Sequence, residues 1–353
     1  MQFLCIMARY CVKIHYLWCA NRKSMVKKSS ILAVVLMIAA SMRLQAQESN
    51  SVFSFLNLPT SAHVVGLGGR NISVADDDIS MGFHNPALLA GVSDRTVGLN
   101  FFTYMKGSNA GSAAYAQAHG ERGTWGVSAQ FVGYGSMTET TASGEVLGEM
   151  NALDMALGGS YCYLLGGNWS GGVTGRFIYS HYGEFTSCAL AVDLGLNYYK
   201  EENDLSLSAV ARQIGGQLKA FGDRHERLPF GLELGLTKGL GHAPIRFSVT
   251  LSDLTRWKSD YYYSAGKKIS AGRILTNHFC VGVDILPVSF LHISAGYDFR
   301  RAYEMKAAGS SHGAGLSVGA GVKVRRFNIS LAYAKYHVGA PTFSTSLAYS
   351  FPR

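Results

Sequence analysis

From about Val92 to the C-terminus the chain alternates large apolar residues with small or polar ones, and this period of two constrains the fold more than any other feature. The C-terminal runs show it most clearly. Phe327, Ile329, Leu331 and Tyr333 alternate with Asn328, Ser330, Ala332 and Ala334; Phe343, Leu347, Tyr349 and Phe351 alternate with Ser344, Ser346, Ala348 and Ser350. A strand places two such sets on opposite faces. Runs of this kind predict fourteen strands near residues 92–106, 109–119, 123–134, 152–165, 168–181, 186–200, 204–213, 228–239, 243–253, 274–286, 289–300, 312–324, 327–336 and 342–351. Many approach the roughly 9 to 11 residues that a tilted strand needs to cross a bilayer. No stretch after the leader reads as a transmembrane helix.

The connections alternate in length. Gly120–Arg122, Gly166–Gly167, Glu201–Asn203, Leu240–His242, Pro287–Val288 and Arg325–Arg326 are short, whereas Gly133–Asn151, Gln213–Arg227, Leu254–Arg273 and Arg301–Ser311 are long. That parity suits a membrane barrel with periplasmic turns and external loops, and a sandwich has no need of it. Paired tyrosines such as Tyr161, Tyr163, Tyr198 and Tyr199 fall where interface girdles are expected. The expected fold is all-β, a fourteen-stranded antiparallel transmembrane β-barrel over residues 92–353. Its lumen, wider than that of an eight-stranded barrel, needs a filling.

The filling is expected from residues 47–91, which do not alternate. Gly66, Gly68, Gly69, the run Asp76, Asp77 and Asp78, and Asn85-Pro86 are turn formers, and proline restricts its predecessor as well. The segment reads as a hatch inside the barrel, with the first strand running outward from a periplasmic N-terminal segment. Three adjacent carboxylates are a conceivable cation site, but they lack the spacing of a calcium loop and read better as helix caps or turns. Asn85-Pro86 is expected to turn the hatch into the first strand.

Residues 1–46 read as a leader. Met25-Val-Lys-Lys precedes an apolar core over Ile31–Met42 and a small residue at Ala46, so a signal peptide starting at Met25 and cleaved after Ala46 is expected. The leader holds seven of the 32 basic residues and no acid, leaving 25 basic against 23 acidic residues in the remainder. The formal charge of +9 is therefore no sign of nucleic-acid binding. After cleavage Cys162, Cys188 and Cys280 remain, an odd number without C-x-x-C spacing, which gives neither a disulfide framework nor a zinc site. The histidines are scattered singly, and no nucleophile elbow or P-loop is present. No catalytic residues, metal ligands or cofactors are expected.

The hatch motifs also carry a resemblance. The glycine-rich stretch followed by Ala75-Asp-Asp-Asp78 and Asn85-Pro-Ala-Leu88, ahead of fourteen strands, resembles the long-chain fatty-acid transporter superfamily of outer-membrane barrels. Within it, Phe53-Ser-Phe-Leu-Asn-Leu-Pro-Thr-Ser-Ala62, Leu67-Gly-Gly-Arg-Asn-Ile-Ser73, Leu228-Pro-Phe230, His242-Ala-Pro244 and Tyr336-His337 are similar to the PorQ family, barrel components of the type IX secretion system. The resemblance implies a non-enzymatic protein in the outer membrane of a Gram-negative bacterium. Its implied partners are the surface-exposed attachment complex, a sortase and the sortase's own barrel, besides outer-membrane lipid.

On that reading docking falls to the external loops. Arg256, Trp257, Tyr261, Tyr262 and Tyr263 combine the residue types that dominate interfaces, though the tyrosines also suit an aromatic belt. Lys219 and Arg224 lie in a second, basic loop that could meet a partner or anionic lipopolysaccharide. The alternative is a channel for a hydrophobic small molecule such as a fatty acid, with a lateral opening at a strand kink marked by Gly158-Gly159 or Gly171-Gly172.

Overall fold

The computed structural model describes residues 51–352 except 105, 106, 141, 142, 144, 265, 267, 310–312 and 339. The expected signal peptide lies outside these residues. Fourteen strands form the wall: β1 (Thr96–Thr103), β2 (Asn109–His119), β3 (Gly123–Thr140), β4 (Val146–Gly166), β5 (Trp169–Tyr182), β6 (Phe185–Lys200), β7 (Leu205–Lys219), β8 (Gly231–Gly239), β9 (Ile245–Leu251), β10 (Phe279–Val288), β11 (Leu291–Asp298), β12 (Leu316–Val324), β13 (Phe327–His337) and β14 (Ala340–Ser350). Each pairs antiparallel with its neighbour in sequence, and β1 closes on β14 with register Thr96↔Ser350 to Phe102↔Ser344. Closure leaves the sheet without an edge at the seam.

The alternation resolves into an inside-out molecule. Along β14, Thr342, Ser344, Ser346 and Ala348 are buried, while Phe343 and Leu347 face outward. The same holds around the wall. Leu99, Phe101, Val127, Leu157, Phe177, Leu194, Leu234, Phe247, Ile293 and Leu331 are exposed, and Asn100, Gln130, Thr174, Asn197, Asp284 and Ser330 are buried. An apolar belt outside a closed sheet is a lipid-facing surface, because every ladder hydrogen bond is satisfied within the wall. No helix among the described residues is long and apolar enough to cross a membrane. Aromatic rings gather at the mouth with the short turns, as in Tyr115–Trp125, Trp169–Tyr198 and Phe327–Tyr349, whose centroids lie 5.6, 5.1 and 4.7 Å apart. This is the girdle expected at an interface.

Several expectations need correction at the opposite, loop-bearing mouth. Residues 133–140 and 146–151, expected as loop, are strand: β3 and β4 run on for 18 and 21 residues and form a tall hairpin. Gln213 to Lys219 likewise belongs to β7. Residues 274–277 are helical rather than extended, because Ser270 accepts a hydrogen bond from Arg273 N and caps the helix Ala271–Asn277. Asp298 caps Phe299–Ala307 in the same way, ending β11. Gly158-Gly159 and Gly171-Gly172 lie in unbroken register with both neighbouring strands, so they mark no kink.

The hatch fills the lumen, but its start is not at the turn mouth. Ser51 forms a parallel bridge with Arg227 beyond the loop-side end of β7, and Val52 N donates to Arg227 O at 3.2 Å. From there the chain crosses the lumen through the short helix Ala62–Gly66, turns back at Gly68 and Gly69, and leaves at the turn mouth into β1. Gly68 and Gly69 have φ of 99° and 86°, and a Cβ on either would run into the Cys280 sulfur or the Tyr336 hydroxyl.

Candidate functional site: the plugged lumen and its loop-side cap

Two sets of contacts hold the hatch against the wall. The first centres on Arg246, an inward residue of β9. Its guanidinium donates through Nη1 and Nη2 to both oxygens of Asp76, each at 2.7 Å, and through Nη2 to Asp284 of β10 at 2.8 Å. Asp284 also lies 3.0 Å from His63 Nε2 and accepts from Ser294 at 2.8 Å, while the His63 and His292 rings lie 4.2 Å apart, tilted by 33°. Hatch and wall thus share one buried network. Such a network is worth most when each charge has its partner.

The second set lies across the lumen. Arg176 pairs with Asp193 at 2.7 Å and donates to Phe83 O at 2.9 Å, and Arg212 donates to Leu56 O at 3.1 Å beside Glu233. Wall side chains here satisfy hatch carbonyls that have no ladder of their own.

The three aspartates separate. Asp76 pairs with Arg246; Asp77 accepts from Ser93 N and from Lys323 Nζ, each at 2.7 Å; Asp78 accepts from Ser80 N and Ser61 Oγ at 2.9 and 3.0 Å. They are bolts and a cap, pointing three ways. Asn85 is fully buried, accepts from Ala87 N at 3.0 Å and donates to Ile72 O at 2.9 Å, and Pro86 occupies the first position of the turn it caps. Among the described residues no group of three His, Cys, Asp or Glu side chains could hold a metal ion.

Wall glycines make room for the plug. A Cβ at Gly98, Gly172, Gly195, Gly235, Gly282 or Gly296 would enter hatch atoms of Ile79, Pro86, Asn85, Ile72, Leu67 and Gly68 respectively. These positions explain part of the 41 glycines as a close fit between wall and hatch. Gly172 is therefore a hatch contact.

The loop mouth carries an organised cap built from the β9–β10 and β11–β12 connections. Asp253 lies at its centre, accepting from Arg70 Nη1 at 3.0 Å and from Arg300 Nη1 at 2.7 Å. Burial disfavours ionisation of Asp253, but the Arg70, Arg300 and Arg256 guanidiniums outweigh it and hold the carboxyl well below the usual carboxylate range. Arg256 and Arg300 each stack on the Tyr261 ring at 4.4 Å, and Tyr262 donates to Arg256 O at 2.9 Å. The helix Phe299–Ala307 adds Arg300–Glu304 at 3.0 Å.

The residues expected to dock a partner divide between those inside the cap and those it displays. Arg256 and Tyr261 are half-buried and Tyr262 is 4% exposed, so all three brace the cap, and none belongs to an aromatic belt. Trp257 and Tyr263, 51% and 54% exposed, are the aromatic side chains the cap presents. Lys219 and Arg224 stand exposed on the rim beside β7. Sequence reading missed Arg246, Asp284, Arg176, Asp193, Asp253 and Arg300. Strand parity offered a signal for the first four: each is a charge at an inward position of an otherwise apolar or small run, as in Ile245-Arg-Phe-Ser-Val249.

One part of the lumen is apolar. Below the loop mouth Phe102, Val132 and Ile178 line a chamber with Tyr104, Tyr134 and Phe221 at its rim, and the chain's own Phe53, Phe55 and Leu56 occupy it. A separate hollow of about 500 Å³ opens at the turn mouth between Leu88 and Ala90 of the hatch and Arg122, Trp169 and Tyr199 of the wall.

No protein-family model and no curated relative matches the sequence. Solved structures similar to the chain include a FadL homologue from Pseudomonas aeruginosa, with 13% identity and a TM-score of 0.53, covering 83% of this chain and 98% of that one. The toluene transporter TodX of Pseudomonas putida gives 13% and 0.53 over 85% of this chain and 99% of that one. CymD, described as a monoaromatic hydrocarbon channel, gives 14% and 0.54 over 83% and 98%. This chain shares their fold. At such identities the likeness establishes architecture, and their named cargoes belong to those proteins.

Proposed function

We propose that the chain is a non-enzymatic outer-membrane barrel of the type IX secretion apparatus that holds a surface-exposed partner at its loop mouth. The observation that carries this reading is the shut lumen. The Arg246–Asp76 ion pair bolts the hatch to one side of the wall, Arg176, itself paired with Asp193, holds the Phe83 carbonyl from the other, the chain's own phenylalanines occupy the apolar chamber, and a braced cap lies across the β9–β12 side of the loop mouth. A barrel so filled offers its outer surface more readily than its bore. The sequence resemblance supplies the secretion system and the class of partner.

Trp257 and Tyr263 are the aromatic anchors available to such a partner. The double variant Trp257→Ala/Tyr263→Ala should fold to the same heat-modifiable barrel, yet recover at least tenfold less of the surface protein that co-purifies from outer membranes. Undiminished recovery would remove the cap as the docking surface.

A second reading is passage of an apolar small molecule, and it is the one that the solved neighbours support. In this chain the apolar chamber favours it, because a barrel interior is ordinarily polar. Phe53 holds φ at 59°, a strained value for an aromatic residue, so its seat is not a relaxed one. Under this reading Phe53→Ala/Phe55→Ala empties the chamber, and the variant should bind N-phenyl-1-naphthylamine at least tenfold more tightly than the unsubstituted barrel, read by fluorescence. Equal binding by both would count against it.

A further inference from the structure

We infer that the upper part of the β3–β4 hairpin is a docking edge for an extended, basic segment of a partner polypeptide. The inference deepens the docking reading, on which it rests for the existence of a partner.

The pairing pattern is the starting point. β2 accompanies β3 only as far as Asn109↔Gly133, and β5 accompanies β4 only as far as Tyr182↔Ala152. Beyond those points β3 and β4 pair with each other alone through five pairs, from Ser136↔Asn151 to Thr140↔Val146. At about 3.3 Å per residue this raises a two-stranded ribbon roughly 15 Å above its neighbours. Among the described residues, the outward backbone groups of Ser136–Thr140 and Val146–Met150 have no ladder partner in the wall. Ser136, Thr138, Thr140 and Glu149 are exposed and polar, so the ribbon stands clear of the apolar belt that ends near Phe131 and Leu153.

Open edges are ordinarily blunted by lysine, proline or β-bulges, and the register shifts of this hairpin fall at its base, Gly133/Ser136, and near its tip, Glu139/Thr140, leaving the pairs from Ser136 to Glu139 regular. Residues 134–151 contain no Lys, Arg or Pro. The edges therefore keep the capacity to accept another strand, the mode in which an extended peptide gains affinity from main-chain hydrogen bonds. Met137 and Val146, 38% and 64% exposed, offer apolar contacts to such a strand.

Charge selects the occupant. Glu139, Glu145 and Glu149 are the only charged residues of the segment, so the ribbon as a whole is acidic. Anionic lipid headgroups are repelled, and so is the ribbon of a second copy, which carries the same three carboxylates. A cationic strand is complementary.

The test uses the full barrel in nanodiscs of zwitterionic lipid and a fluorescent twelve-residue peptide of alternating lysine and valine. Anisotropy should show saturable binding, at least tenfold weaker for the same peptide N-methylated at alternate amides, which keeps its charge and loses one row of hydrogen bonds. Glu139→Gln/Glu145→Gln/Glu149→Gln should weaken binding at least fivefold at low salt. Replacing residues 136–150 by Asn-Gly, in a barrel of unchanged heat-modifiability, should abolish it. Equal binding of the methylated peptide, binding that survives the shortened hairpin, or no binding to the unsubstituted barrel would each overturn the inference. The shortened barrel also separates the two claims. If it retains the co-purified surface protein while Trp257→Ala/Tyr263→Ala loses it, docking stands and the ribbon does not; the reverse result assigns docking to the ribbon.

Discussion

Arg246→Ala should free the hatch while leaving a barrel in place. The substitution removes the shared partner of Asp76 and Asp284 and leaves the Asp284 carboxylate, whose side chain is only 2% exposed, with His63 and Ser294 as its remaining partners. Breaking a buried pair by removing one member costs about 3–5 kcal/mol, more than the net value of the pair itself. The wall keeps its ladder, since Arg246 contributes to β9 through its backbone. The expected result is a heat-modifiable barrel in which residues 51–91 become sensitive to added protease in detergent, with a lowered unfolding midpoint. Adding Asp284→Asn and Asp76→Asn to Arg246→Met should restore most of the loss, because no charge is then left alone. If Arg246→Ala alone leaves protease resistance and midpoint unchanged, the network is decorative and the hatch is held elsewhere.

Gly296→Ala should be nearly as damaging for a different reason. The new Cβ would enter the Leu67–Gly68 backbone of the hatch, which is pressed against β11 and cannot rotate away as a side chain could. Overpacking of this kind costs about 1–3 kcal/mol, and more where backbone meets backbone. Gly175→Ala is the matched control: it also sits within a strand, and a Cβ there meets nothing within 4 Å. The expected pattern is a destabilised or hatch-open Gly296→Ala beside a Gly175→Ala with the midpoint of the parent. Equal stability of the two would show that the hatch gives way easily.

What the sequence disclosed follows from which interactions are local. Alternation along a strand is local, so the wall, its strand number and the outward face of Phe343 and Leu347 were readable. Asn85-Pro86 announced a turn for the same reason. Asp76, Asp77 and Asp78 invited a common role because they are adjacent, but adjacent residues in an irregular segment point apart: Asp76 and Asp77 meet Arg246 and Lys323 far along the chain, whereas Asp78 meets Ser61 and Ser80 within the hatch. The tyrosines of the β9–β10 connection looked like anchors. Tyr261 and Tyr262 instead pack against Arg300, supplied by another connection 39 residues after Tyr261, which no local pattern announces. Residues 133–140 and 146–151 read as loop because glycine is a weak strand signal and glutamate and serine break the apolar alternation, yet the two strands of a hairpin need only each other's backbone.

The position of the hatch has a consequence for how the cylinder is sewn shut. The seam joins β1 to β14, strands separated by most of the chain, and bringing such distant segments together is the slowest kind of contact to form. The hatch touches both sides of it: Ala62 N donates to Ser346 Oγ on β14 at 2.7 Å, and Ser80 Oγ lies 3.0 Å from Asn100 Nδ2 on β1. A segment made before any strand thus holds the first and last staves at once, a mandrel around which the wall is wrapped.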